Sequence, residues 1–172
     1  MTALDALPSS LSHDGFFERY GGVYESSAWV AEGVWERAQG GELNDLAAMQ
    51  KAMREIVERA SRERRMALIR AHPELASRVR AAEMTAHSVA EQKGAGLDQC
   101  SPEELAEFLA LNRRYNEKFG FPFITAVTGL DRTAILGAFR RRVENTPDAE
   151  FATALEQIHR IAAIRLAAMA GK

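Results

Sequence analysis

The chain has a single cysteine, Cys100, so no disulfide can close within it, which suits a reducing compartment. Long hydrophobic runs are missing too, and nothing approaches the roughly 18 consecutive apolar residues of a transmembrane helix. The opening stretch MTALDALPSS has neither a basic n-region nor an apolar h-region, which argues against a secretory signal. The closing MAGK matches no receptor-read address. Neither sign of charge is in excess: 22 basic residues face 24 acidic ones, a poor match to a nucleic-acid binder. Internal repeats, low-complexity linkers and sustained strand-like alternation are likewise lacking. These absences leave a soluble cytoplasmic protein with no nucleic-acid or membrane partner. Its 172 residues are expected to form one domain, residues 1–172, large enough to bury a core.

What is present is helical periodicity. Leu46, Met49, Met53, Ile56, Val57 and Ala60 recur at three- and four-residue steps, an amphipathic stripe. Shorter stripes fall at Ala28, Ala31, Val34, Trp35 and Ala38, and at Ile135, Leu136, Phe139 and Val143. Ser101, Pro102 and Glu104 form a capping-box signature, and Asp131 and the TPD at residues 146–148 can open two later helices. Gly40 with Gly41, Gly94 with Gly96, and Gly120 supply stops. The fold class predicted is all-α, one compact bundle-like domain of about eight helices. The arginine clusters Arg62, Arg64, Arg65 and Arg140, Arg141, Arg142 read as solvated helix faces.

Four features stand out from that background. In MALIRAHPELA, residues 66–76, Pro73 disfavours helical backbone at His72 and suits the first turn of a new helix. His72 is therefore expected at an N-cap, where the helix dipole favours the neutral imidazole. In TAHSVAEQKGAG, Ser88, Glu91 and Gln92 share one helical face; such a face either meets water or holds a ligand. FGFPFITAVTG, residues 119–129, is apolar and broken by Gly120, Pro122 and Gly129. It is either a tucked-in connection or a backbone surface for a ligand, since its buried N–H and C=O groups need partners. In the last helix Arg165 lies within the apolar stripe of Phe151, Leu155, Ile158, Ala162 and Met169, with Arg160 roughly 200° round from Ile158. A buried arginine must reach the surface, pair with an internal carboxylate or await an anionic ligand.

Taken in order, these stretches resemble the 2-oxo-4-hydroxy-4-carboxy-5-ureidoimidazoline (OHCU) decarboxylase family. The likeness runs from YGGVYESSAWVAE through AHPELA, SVAEQKGAGLD and LNRRYNEKFGFPFITAVTG to ALEQIHRIAAIRL, most of the chain. It implies a cofactor-free, metal-free carboxy-lyase of urate and purine degradation that yields (S)-allantoin and CO2. It also implies a homodimeric, all-helical enzyme acting on a small molecule, with a possible association with hydroxyisourate hydrolase. The implied catalytic residues are His72 and Glu91. The implied substrate-binding residues are Pro73, Ser88, Val89, Ala90, Glu91, Gln92, Phe123, Ile124, Thr125, Ala126, Val127 and Arg165, with Arg160 open as the alternative arginine. Ser27 stands where relatives often carry proline, which bears on the local helix start. Two competing classes are a metal-dependent hydrolase using His72, His87 and Glu91, and a non-enzymatic helical module with the apolar loop as a docking groove.

Overall fold

The computed structural model describes residues 1–73, 75 and 101–170. Seven α-helices lie among them: α1 (His13–Tyr20), α2 (Trp29–Gln39), α3 (Leu46–Arg59), α4 (Arg62–Ala71), α5 (Pro102–Phe119), α6 (Arg132–Arg142) and α7 (Pro147–Ala167). A short 3-10 turn, Pro8–Ser10, precedes α1. The described residues contain no strand beyond the isolated bridges Ala3 to Asp45 and Leu4 to Ala170. The all-α expectation holds. The chain divides into two compact units, Met1–Ala71 with His159–Lys172, and His72–Ile158.

In the first unit the periodic stripes become the core. Met49, Ala52, Met53 and Val57 of α3 are buried, as are Val30, Ala31, Val34 and Ala38 of α2. Ala28, counted in that stripe, is exposed because it caps α2 rather than facing the core. Gly33 lets α2 approach α3: a Cβ there would come within 2.9 Å of Ile56 side-chain atoms. The start of α2 has no side-chain cap; Ser27 instead donates its hydroxyl to the Glu25 carbonyl at 3.0 Å.

The second unit is built around aromatic rings. Phe123 stacks on Phe139 with centroids 3.8 Å apart, and Tyr115 meets Phe123 edge-on at 5.4 Å. Phe108, Tyr115, Phe123 and Phe139 are all fully buried, each ring contributing about 1.5–3 kcal/mol of burial free energy. α5 begins on the expected capping box: Ser101 Oγ accepts from the Glu104 N–H, and Glu104 Oε1 accepts from the Ser101 N–H, both at 3.1 Å. It stops at Gly120, whose φ of 72° is left-handed and favours glycine. Asp131 caps α6 through the Ala134 N–H at 2.8 Å. Ser101→Ala is expected to cost about 1 kcal/mol, read as a fall of roughly 2–4 °C in Tm. An unchanged melting midpoint would show that the box contributes nothing to stability.

Candidate active site

His72 follows directly on the last turn of α4 and is buried, 6% exposed, with Pro73 half-buried beside it. The helix expected from Pro73 lies outside the described residues. So do Ser88, Val89, Ala90, Glu91 and Gln92, together with His87 of the metal-site alternative. The chain just past the His-Pro step is pinned: Asn112 of α5, itself buried, donates Nδ2 to the Leu75 carbonyl at 2.9 Å. Asn112 lies in the LNRRYNEKF motif, and its inward position is what the stripe Phe108, Asn112, Tyr115, Phe119 encodes. A polar residue on that stripe signals a buried amide with work to do.

The irregular segment after α5 is buried from Phe121 through Thr125 and again at Val127. Its backbone finds two side-chain partners. Arg142 Nη1 donates to the Ile124 carbonyl at 2.6 Å, and Gln157 Oε1 accepts from the Ala126 N–H at 3.0 Å. The Thr125 hydroxyl reaches the same Gln157 oxygen at 3.4 Å, and Leu130 closes the turn by donating its N–H to the Val127 carbonyl at 2.9 Å.

Arg142 corrects the sequence reading. Arg140 and Arg141 are exposed as expected, but the Arg142 side chain is only 12% exposed and is not part of a solvated face. Its Nη2 and Nε donate to Glu150 Oε2 at 2.9 and 3.1 Å, and its guanidinium carbon sits 4.4 Å from the Phe123 ring centroid. Glu150, with no exposed surface, also accepts from Asn145 Nδ2 at 3.0 Å and from the Tyr115 hydroxyl. Burial, and then the bond to the Glu150 carboxylate, push the Tyr115 phenol well above its ordinary range, so it stays protonated and donating. A carboxylate with this many donors satisfies the requirement for a buried charge.

Arg165 belongs to the first unit and is buried, 3% exposed, while Arg160 is exposed. That is the division the helical stripe predicts. Of the three fates open to a buried arginine, the structure gives the internal carboxylate: Arg165 Nη2 lies 3.0 Å from Glu25 Oε2, both side chains 2% exposed. Its Nη1 donates to the Val23 carbonyl at 3.2 Å and, more weakly, to Gly22 at 3.4 Å. Next to Glu25, the Tyr24 hydroxyl and His159 Nδ1 are 2.8 Å apart and buried. Sequence reasoning missed Tyr24, Glu25 and His159. The signal for His159 was present, since it lies three residues before Ala162 and seven before Leu166 on the inward face of α7.

The OHCU decarboxylase family model matches residues 9–167 of the chain. A 2-oxo-4-hydroxy-4-carboxy-5-ureidoimidazoline decarboxylase of Haloferax volcanii is 43% identical over 91% of this chain and 90% of its own length. A uric acid degradation bifunctional protein of Bacillus sp. is 38% identical over 92% of this chain, which spans only 30% of it. Among solved structures, an (S)-allantoin synthase is similar with a TM-score of 0.75 and 32% identity. That match covers 94% of this chain and 52% of the other.

Proposed function

The chain belongs to the OHCU decarboxylase family, and from that premise we propose that it decarboxylates 2-oxo-4-hydroxy-4-carboxy-5-ureidoimidazoline to (S)-allantoin in urate degradation. The observation that carries the reading is the match across residues 9–167, which takes in every motif that drew attention in the sequence. The reaction needs little from the protein in covalent terms. The bond to the carboxylate breaks and CO2 leaves. The electron pair forms a double bond to the ureido-bearing carbon while the C=N pair moves onto nitrogen, which takes up a proton. The resulting enol gives up its hydroxyl proton to become the carbonyl, and the ureido-bearing carbon takes a proton on one face, so one proton is gained overall. Because the substrate is its own electron sink, neither metal nor cofactor is required, and the protein supplies position, charge and a proton.

His72 is the proton-handling group, held in a buried corner where water competes poorly. Glu91 orients the ureido and ring N–H groups, Ser88 and Gln92 hydrogen-bond the ureido or ring carbonyl edges, and Pro73, Val89 and Ala90 complete the substrate-binding set. The backbone of Phe123, Ile124, Thr125, Ala126 and Val127 meets the planar ring, and Arg165 meets its anionic or carbonyl edge. Arg165 enters this role already neutralised by Glu25, so it acts as a set of aimed donors more than as a net charge. The enzyme works as a cytoplasmic homodimer, each chain a single OHCU decarboxylase-like domain over residues 1–172, with hydroxyisourate hydrolase as its pathway neighbour. No helix among the described residues is long and apolar enough to cross a membrane.

The deciding experiment generates the substrate in situ from urate with urate oxidase and hydroxyisourate hydrolase. Adding this protein is expected to speed the appearance of allantoin and to bias it to the S form, read by circular dichroism at the rate of turnover. Chelator should leave that rate unchanged. Racemic allantoin formed at the uncatalysed rate would defeat the proposal.

A further inference from the structure

The segment that follows α5 is held at two points of opposite polarity, and those points fall on either side of one residue. The Ile124 carbonyl, held by Arg142 Nη1 at 2.6 Å, lies in the peptide plane joining Ile124 to Thr125. The Ala126 N–H, held by Gln157 Oε1 at 3.0 Å, lies in the plane joining Thr125 to Ala126. Among the described residues there is no cis peptide bond, and in a trans peptide the C=O and N–H point in opposite directions. Fixing both planes therefore fixes φ and ψ of Thr125. It also turns the Thr125 N–H away from Arg142 and the Thr125 carbonyl away from Gln157.

Thr125 is 8% exposed, and among the described residues neither its N–H nor its C=O has a hydrogen-bond partner. A buried donor and acceptor on one residue call for a partner carrying the complementary pair. An amide or ureide edge, with C=O and N–H side by side, is such a partner. We infer that Arg142 and Gln157 are positioning residues of the reaction, which set the Thr125 backbone so that its N–H and C=O meet a ureide edge of the substrate. Neither side chain touches substrate. Arg142 is in turn aimed by Glu150, and that carboxylate by Tyr115 and Asn145. The inference rests on the reading that residues 123–127 bind the substrate, so its test separates the two.

The probe is (S)-allantoin titrated into ¹⁵N-labelled protein, followed at the Thr125 amide, beside steady-state kinetics. In the unaltered protein the Thr125 resonance is expected to shift on saturation. Gln157→Leu should raise KM about tenfold, the scale of one lost hydrogen bond at a binding edge, with kcat little changed and the shift reduced or lost. Gln157→Glu keeps an acceptor for the Ala126 N–H and should restore KM to within about twofold. Arg142→Lys, which keeps the cation beside Glu150 but not the planar fork, should move KM in the same direction as Gln157→Leu. Thermal melts confirm that each variant is folded, and a purely structural role would move Tm without this KM pattern. A Thr125 shift and a KM that both survive Gln157→Leu and Arg142→Lys unaltered would overturn the inference while leaving the loop as a binding element. No Thr125 shift in the unaltered protein would remove the loop itself from substrate contact, and the inference with it.

Discussion

His72→Asn is expected to lower kcat by about 10²- to 10⁴-fold, the usual contribution of a positioned general acid–base. Asparagine is close in size to the imidazole and keeps a polar head, so the buried corner stays filled. What it lacks is a group that can take up and release a proton near neutral pH. The expectation has a second, independent part. If His72 governs the proton that reaches one ring face, the residual product should lose its S bias, because the uncatalysed step has no preferred face. Rate and optical purity should therefore fall together while the thermal midpoint stays close to that of the unaltered protein. A variant with near-normal kcat and pure (S)-allantoin would take His72 out of the chemistry and leave it as a buried corner residue.

The corner itself was legible in the sequence because its causes are local. Proline restricts the residue before it, and that is enough to mark His72 as a break after α4. The same holds for the box at Ser101 and Glu104, the cap at Asp131 and the left-handed stop at Gly120, each set within a few residues. Arg165 was legible for a related reason: a strong apolar period on α7 fixes which way each side chain faces. Its partner was not, because Glu25 lies in an irregular stretch where no period assigns a direction. Arg142 shows a different kind of miss. Reading three consecutive arginines as one solvated face fails because consecutive helical residues turn about 100° apiece and cannot share a face. Arg142 sits three residues after Phe139 and seven after Ile135, both fully buried, so the stripe already pointed it inward. Glu150 carried the same signal, four residues before the buried Ala154 and eight before Ile158. A carboxylate in a first helical turn is readily credited to the helix dipole, which hid its burial.

Glu150→Leu is expected to be the most damaging single change to stability in the second unit, costing about 3–5 kcal/mol, the usual result of stripping one partner from a buried charge. The leucine is apolar and of similar bulk, so the loss comes from the groups left behind. Arg142 would face hydrocarbon with its Nε and Nη2 unmet, and Tyr115 and Asn145 would each lose an acceptor. In urea unfolding the midpoint should drop with little change in slope, since the surface exposed on unfolding is nearly the same. Glu150→Gln keeps an acceptor and the shape and should cost less, about 1–3 kcal/mol. Pairing Glu150→Leu with Arg142→Met removes both charges, and a large part of the lost stability should return because nothing ionised is left buried. That double variant also parts stability from function. It restores a well-packed unit but leaves the Ile124 carbonyl without the guanidinium that holds it at 2.6 Å, so KM should stay raised after the melting point has recovered. A double variant that recovers both would reduce the network to a means of folding; one that recovers neither would mean the buried pair itself, and not its net charge, holds the unit together.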